Sequence, residues 1–503
     1  MKEPIMSTGK TVPGNQPDAP AHATRLAKNL KPHWVWAIAL GSAVGWGAFV
    51  LPADWMDTAG PLGALLGLAI GGALMIVVGV SYGFLAKVFP VSGGAFAYTL
   101  VGFGRTHAYI CAWFMTLGYV SIVALNASAL GLLAKRVVPQ IAEIGYLYTI
   151  AEWDVYLGEV LIATAALVIF AVINIGGGGN SARLQFYMCL LMLGAVAVIF
   201  VGVLASPQGQ ASNMEPLFSP DTAAVAGVLA IVAIAPWAFI GFDNIPQTAE
   251  EFSFSASKAF RLIVWSLIAA TLLYLAMIVA TAAGAPWQDE LAEQPLWLTA
   301  DVVSGALGPI GLVLLCLAAF MGIATGLNGF YVAGSRVLLA MGRAQMIPSA
   351  FARVHPKHGT PSVGIWFVLA VCLIAPWFGR TALSWIVDMA SIGFTFAFAY
   401  TCLCAYRMFR WSGQPEDVEG AASTPRKLAA AAGVVVALIF TVLLLAPGSP
   451  AQLTMPSFVA MGAWILIGVL FFISRRRHLK NVSEDEIDTA VLGAPRPQWL
   501  RGG

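Results

Sequence analysis

Charge is what this sequence has least of. Only 10% of its 503 residues are Asp, Glu, Lys or Arg, against roughly one quarter in a soluble domain. The scarcity excludes a soluble globular protein and leaves no basic surface for nucleic acid. The six cysteines (Cys111, Cys189, Cys316, Cys372, Cys402 and Cys404) all fall in apolar runs without a neighbouring His or Cys, so no metal site is expected and they read as packing residues. No set of His, Cys and carboxylates stands at catalytic spacing, so neither an enzyme nor an organic cofactor is expected. Gly176 to Gly179 is followed by no Gly-Lys-Ser/Thr and is no phosphate loop. His355 and His358 lie in a basic loop and read as surface charge. The first 30 residues are polar and rich in Pro, Thr and Ala, and they lack the short apolar core of a cleavable signal. The first apolar run is therefore expected to direct insertion, behind a disordered tail over residues 1–32.

What the chain does have is apolar length. Hydrophobic residues make up 59% and mean hydropathy is +0.80. Runs of about 20 residues, enough to cross a hydrocarbon core of about 30 Å, recur along nearly the whole sequence. The pattern predicts an all-α integral membrane protein of twelve spans, near 34–57, 61–88, 104–134, 155–175, 181–205, 222–250, 256–284, 304–341, 362–378, 381–407, 427–446 and 455–474. With the N-terminus inside, 24 of the 27 basic residues fall on the cytoplasmic side and only Lys135, Arg136 and Arg380 outside. Both termini are thus expected in the cytoplasm, the membrane being a bacterial cytoplasmic (inner) membrane. The basic loop that a major facilitator carries after its second span is absent.

Two spans are interrupted. The first is broken at Gly41-Ser42-Ala43-Val44-Gly45-Trp46-Gly47, and the sixth at Phe239-Ile240-Gly241-Phe242-Asp243-Asn244-Ile245-Pro246. Matching interruptions five spans apart point to an inverted-repeat transporter with its site at the membrane midplane. The repeats are expected at about 33–205 and 222–407 within a transporter domain over 33–475, with two extra helices at about 427–474 and a cytoplasmic tail over 476–503. Peptide groups freed by a break must face protein or a polar cavity, because each unsatisfied group in lipid costs several kcal/mol. Exposed N–H groups suit a carboxylate, and exposed C=O groups an amine or a cation. An α-amino acid carries both charges. The competing reading is that these glycines only allow close helix packing.

The residues at these breaks resemble the amino acid-polyamine-organocation (APC) superfamily, the amino acid permeases of the LeuT-like fold, over roughly residues 33 to 475. Gly41 to Phe49 resembles the first-span pattern G-S-G-I-G-S-G-I-F, and Pro90 to Tyr98 resembles P-x-S-G-G-x-Y-x-Y. Trp237 to Asp243, with Ala249-Glu250-Glu251, is similar to F-x-A-F-x-G-F-E and its A-E-E tail. Ser335 to Arg343, with Ile347-Pro348, resembles S-R-x-L-x-A-M-A-R-D-G-x-x-P. Ala43 and Trp46 depart from the pattern, and Leu190-Leu191-Met192 occupies the region where many relatives carry a Lys that stands in for sodium. The resemblance implies a 5+5 inverted repeat with discontinuous helices 1 and 6.

The expected activity is secondary active transport by alternating access. The solute is expected to be held by Ser42, Ala43, Val44, Gly45, Trp46 and Gly47 on one break and by Trp237, Phe239, Ile240, Gly241 and Asp243 on the other. It should be a small amino acid or related amine, moved with proton coupling or by exchange. Asp243 suits proton coupling or amine binding, because an acid within a span is costly unless it faces a cavity or partner; the alternative is an Asp capping the second half-helix. Trp237 and Phe239 suit an aromatic gate. Thr325, Asn328 and Tyr119 offer contacts to a cation such as Na⁺ or to substrate, with helix–helix hydrogen bonding as the other reading; Asn126 and Ser391 are weaker candidates. Glu250 and Glu251 are expected to form a cytoplasmic gate cluster with Lys258 and Arg261, the other reading being a solvated charge run. Glu159 would snorkel near the outer end of span four, and Asp388 has no assigned partner. The remaining readings are a polyamine or ethanolamine-type amine carrier with Asp243 as the direct amine partner, and a channel or substrate sensor on the same scaffold.

Overall fold

The computed structural model describes residues 26–150, 153–293, 297–379, 381–410, 423–449, 452–479 and 481–496. Most of the expected N-terminal tail, the outside Arg380 and the end of the C-terminal tail fall outside the described residues. Within them the chain is almost entirely helical, and nine helices are long and apolar enough to cross a membrane. The three expected spans outside that set are the first, sixth and ninth. The ninth is a shorter helix, Ser362–Cys372, continued by a 3₁₀ turn.

The first expected span is two pieces. Pro32–Ala43 begins with proline at its first turn, where a missing N–H costs nothing. It stops at Val44, and the chain resumes as Gly47–Val50 and then Pro52–Val88. The Gly60-Pro61 pair inside that last helix divides the first span from the second. The sixth span is likewise divided: Ala224–Ala233 and Ala235–Ala238 lead in, residues 239–243 are turns, and only Asn244–Gln247 and a 3₁₀ turn over Ala249–Glu251 follow.

Long unbroken helices surround these fragments. Pro32–Ala43 packs against Gly178–Ala205, Ala259–Gly284 and Leu298–Arg343. Small residues bring the backbones close: a Cβ on Gly41 would stand 2.6 Å from Gln185 Nε2 and 2.7 Å from the Thr325 Cβ. At the bundle edge, Met455–Leu479 is clasped to Arg105–Val137 by two tryptophans. Trp113 donates its indole N–H to the Trp464 carbonyl (3.0 Å), and Trp464 returns the bond to the Trp113 carbonyl (3.1 Å).

Several elements lie outside the sequence expectations. Two strands, Tyr146–Ile150 and Trp153–Tyr156, form an antiparallel hairpin between the third and fourth expected spans. A short buried helix, Ala95–Phe103, precedes the third. Residues 26–31, assigned from sequence to a disordered tail, instead lie along residues 250–253: Leu30 N–H donates to the Glu251 carbonyl and Ser253 N–H to the Leu30 carbonyl, both at 3.0 Å. Within the C-terminal tail, Glu484–Leu492 is a helix with a Ser483/Glu486 capping box. It is tied by the Asp488–Arg496 ion pair (2.9 Å), and Arg496 also donates to the Leu100 carbonyl (3.3 Å).

Glu159 does not snorkel. It is 5% exposed, pairs with Lys135 at 2.9 Å and accepts from the Tyr156 N–H at 3.0 Å, closing the start of Leu157–Ile175. Asp388 gains its partner: one carboxylate oxygen accepts from the N–H (3.1 Å) and hydroxyl (3.1 Å) of Thr454 and from the Ser457 hydroxyl (2.7 Å). It thereby satisfies donors at the start of the last long helix.

Candidate functional site

The two breaks touch. Gly241 has φ +129°, a conformation that side-chain-bearing residues rarely adopt. A Cβ there would stand 2.5 Å from the Ala43 nitrogen and 2.7 Å from the Ser42 carbonyl carbon. Backbone is therefore laid on backbone. Asn244 adds a side-chain link, its Nδ2 donating to Ser42 Oγ at 2.7 Å, while Ser42 donates to the Ile38 carbonyl at 2.6 Å. Above this contact the Tyr274 hydroxyl lies 2.9 Å from the Ala43 carbonyl and 2.8 Å from the Ala238 carbonyl. The carbonyl ends of both leading half-helices thus converge on one donor.

In the first break, the N–H groups of Val44, Phe49, Val50 and Leu51 find backbone acceptors. Those of Gly45, Trp46, Gly47 and Ala48 find none among the described residues. Four consecutive amides are left as a donor set at the point where the helix is interrupted. Trp46 is half-buried with an indole N–H that likewise meets no acceptor. Trp237 is 9% exposed and lies over Gly47, where an added Cβ would come 2.6 Å from the far edge of the indole. Phe239 turns away from this point. It packs edge-on to Tyr274 at 5.7 Å and against Gly71 and Gly72, between Pro52–Val88 and Ala259–Gly284.

Asp243 is 1% exposed. One oxygen accepts from the Gly241 N–H at 3.1 Å and the other from the Tyr119 hydroxyl, which accepts in turn from Gln247 Nε2 at 3.2 Å. No side-chain cap is made to the Asn244–Gln247 helix, so the capping role weighed from sequence is not the one adopted. The carboxylate instead holds its own break in shape and reaches across to Arg105–Val137.

Thr325 and Asn328 are engaged in helix packing. Thr325 donates to the Met321 carbonyl within its own helix (2.8 Å). Asn328 donates to Gln185 Oε1 (2.9 Å) and accepts from Asn174 Nδ2 (2.9 Å) and Ser181 Oγ (2.8 Å), joining Leu298–Arg343 to the fourth and fifth expected spans. Both ends of the Asn328 amide are thereby used. Replacing it with alanine strands partners from two helices, and a loss of roughly 1–3 kcal/mol is expected per stranded buried group. Thermal unfolding of Asn328→Ala with and without sodium checks this: an equal loss in both follows from packing, whereas a loss confined to sodium follows from ligation.

The charged cluster at the N-terminal end of the bundle is wired differently from the expectation. Glu251 pairs with Arg336 through two contacts, 2.8 and 3.1 Å, with side chains only 3% and 2% exposed. Glu250 pairs with Arg343 through two contacts as well, 2.7 and 3.2 Å, and accepts from the Leu26 N–H at 3.0 Å. Each carboxylate therefore meets a guanidinium fork with both oxygens, the geometry that holds such pairs most firmly. Lys258 and Arg261 were expected as partners because they follow closely in sequence; the arginines that serve lie 85 and 93 residues away.

The sequence reading also missed Tyr274, Gln247 and the linking role of Asn244. Tyr274 sits in an apolar run with no local pattern to mark it, whereas Asn244 and Gln247 lie inside or beside the second break.

The family described as amino acid permease matches residues 34–471. The chain belongs to the amino acid permease family. Among curated relatives, the permease is 26% identical to a branched-chain amino acid permease of Bacillus subtilis, over 88% of this chain and 92% of that one. It is 25% identical to the amino-acid permease RocC of the same organism, over 77% and 81%. It is 22% identical to the methylthioribose transporter of that bacterium, over 74% and 80%.

Proposed function

We propose that the permease is a secondary active transporter that carries a small zwitterionic amino acid by alternating access. The observation that supports this best is the donor set of Gly45, Trp46, Gly47 and Ala48, four amides with no protein acceptor among the described residues, in a break that lies against the second broken helix. A carboxylate satisfies such donors. The names of the two Bacillus subtilis amino acid permeases agree with that chemistry.

In this reading the membrane is the bacterial cytoplasmic membrane, with both termini inside. The Glu250–Arg343 and Glu251–Arg336 pairs are the closed inner gate, and Trp237 over Gly47 narrows the outer path. One midplane site then faces each side in turn. The amine-carrier alternative needs Asp243 as the direct partner of the solute, beside the hydrogen bonds that its oxygens accept from Gly241 and Tyr119. The unpaired amides of residues 45–48 favour the carboxylate-bearing substrate.

The test is a thermal-shift screen of purified permease against amino acids and their decarboxylated amines, with and without sodium, at two pH values. Ligands that bind the folded state raise its stability by mass action. Stabilisation by amines alone would overturn the assignment. For coupling, the proton is assigned to Asp243, the acid inside the sixth span. Asp243→Asn is expected to remove the pH dependence of uptake, measured in vesicles at fixed substrate. An unchanged pH profile in that variant would take Asp243 out of the coupling step.

A further inference from the structure

Asn126 sits in the middle of Arg105–Val137 and is 2% exposed. Its Nδ2 donates to the Ile122 carbonyl at 2.9 Å. That bond fixes which way the amide faces, because turning it over would set two acceptors against each other. The other end, Oδ1, is buried and has no hydrogen-bond partner among the described residues. It points at the first break: a Cβ on Gly45 would lie 3.5 Å from it. Behind it the amide lies flat on Gly326 of Leu298–Arg343, where a Cβ would come within 2.7 Å of Nδ2 and 2.9 Å of Oδ1. Gly326 thus leaves the space that this side chain occupies, and the break at Gly45 comes into ordinary contact with its oxygen.

A buried acceptor without a donor is costly, about 1–3 kcal/mol, and is rare in folded proteins unless something else supplies the donor. A structural role is served by Nδ2 alone. The orphan oxygen is a separate feature, and its neighbour is the break whose amides at residues 45–48 have no backbone acceptor among the described residues. Resting on the transport reading above, we propose that Asn126 is a specificity-determining residue whose Oδ1 accepts a hydrogen bond from the α-ammonium of the substrate, while the amides of residues 45–48 hold its carboxylate.

This arrangement makes a selective demand. The solute must present an N–H donor beside its carboxylate, and a 2-hydroxy acid of the same shape has a weaker, uncharged donor there. A neutral acceptor also matches a solute of no net charge.

The experiment is ligand titration by thermal shift on the full-length purified permease, using L-leucine against its 2-hydroxy acid, and L-alanine against lactate. Wild type should bind each amino acid more tightly than its hydroxy acid. In Asn126→Leu, which keeps the shape and removes the acceptor, amino acid affinity should fall roughly 10- to 100-fold. Hydroxy acid affinity should change little. Asn126→Asp, which keeps an oxygen in place, should restore the preference. Where Asn126→Leu fails to fold, Asn126→Ala serves as the removal variant. Amino acid binding that survives removal with its preference over the hydroxy acid intact overturns the role of Asn126 and leaves amino acid transport standing. Wild type unmoved by leucine, alanine and every other amino acid of the screen overturns both.

Discussion

Arg336→Ala is expected to be the most destabilising charge substitution in the permease. Its guanidinium makes two contacts to Glu251, at 2.8 and 3.1 Å, and both side chains are sealed from solvent. Removing the arginine leaves a carboxylate buried without a counter-charge, a loss of about 3–5 kcal/mol. Glu251→Gln with Arg336→Met, which deletes both charges and keeps the volume, should recover most of that loss, because a buried pair replaced by packed neutral groups is often nearly neutral. Thermal midpoints of the three proteins check this. A single variant as stable as wild type would mean that the pair does not hold these segments together. Under the gate role proposed above, function should separate from stability: the double variant, though folded, should show a changed balance between uptake and release.

The second large effect belongs to Gly241. Alanine there meets two obstacles, a φ of +129° and the backbone of the other broken helix at 2.5 Å. The dihedral strain alone is of order 1–3 kcal/mol, and a backbone neighbour has no rotamer by which to withdraw. Gly241→Ala should therefore abolish uptake by forcing the two breaks apart, even where enough folded protein reaches the membrane to be measured. Gly47→Ala makes the useful contrast, since the atom it meets is the far edge of the Trp237 indole, which can swing. Uptake by Gly241→Ala equal to that of Gly47→Ala would refute the claim that direct backbone contact between the breaks matters.

Much of the fold was legible because the bilayer enforces it. Apolar length marks the spans in the sequence, and nine of the described helices are long and apolar enough to cross a membrane. The breaks were legible for a related reason: glycine, proline and an acid inside an apolar run interrupt a helix at a cost that a membrane punishes unless the interruption has a use. What the sequence hid was pairing between distant segments. Glu251 and Arg336 are 85 residues apart, and nothing local distinguishes Arg336 from Lys258 as a partner. Asn328 and Phe239 read as site residues from sequence because polar and aromatic groups near a break have two possible destinations, inward or between helices. In the structure both side chains lie between helices. Tyr274 was invisible for the opposite reason, being an aromatic in an apolar helix whose ring packs and whose hydroxyl alone has a task.

That hydroxyl has a mechanical side. A phenol owns a single proton, and Tyr274 stands within bonding distance of two carbonyls on two different rods. At any moment it serves one and merely neighbours the other. The proton can pass from one carbonyl to the other without ever losing a host, so this joint tolerates displacement. The peptide stack at Gly241 offers no such slack. One seam is loose and the other stiff.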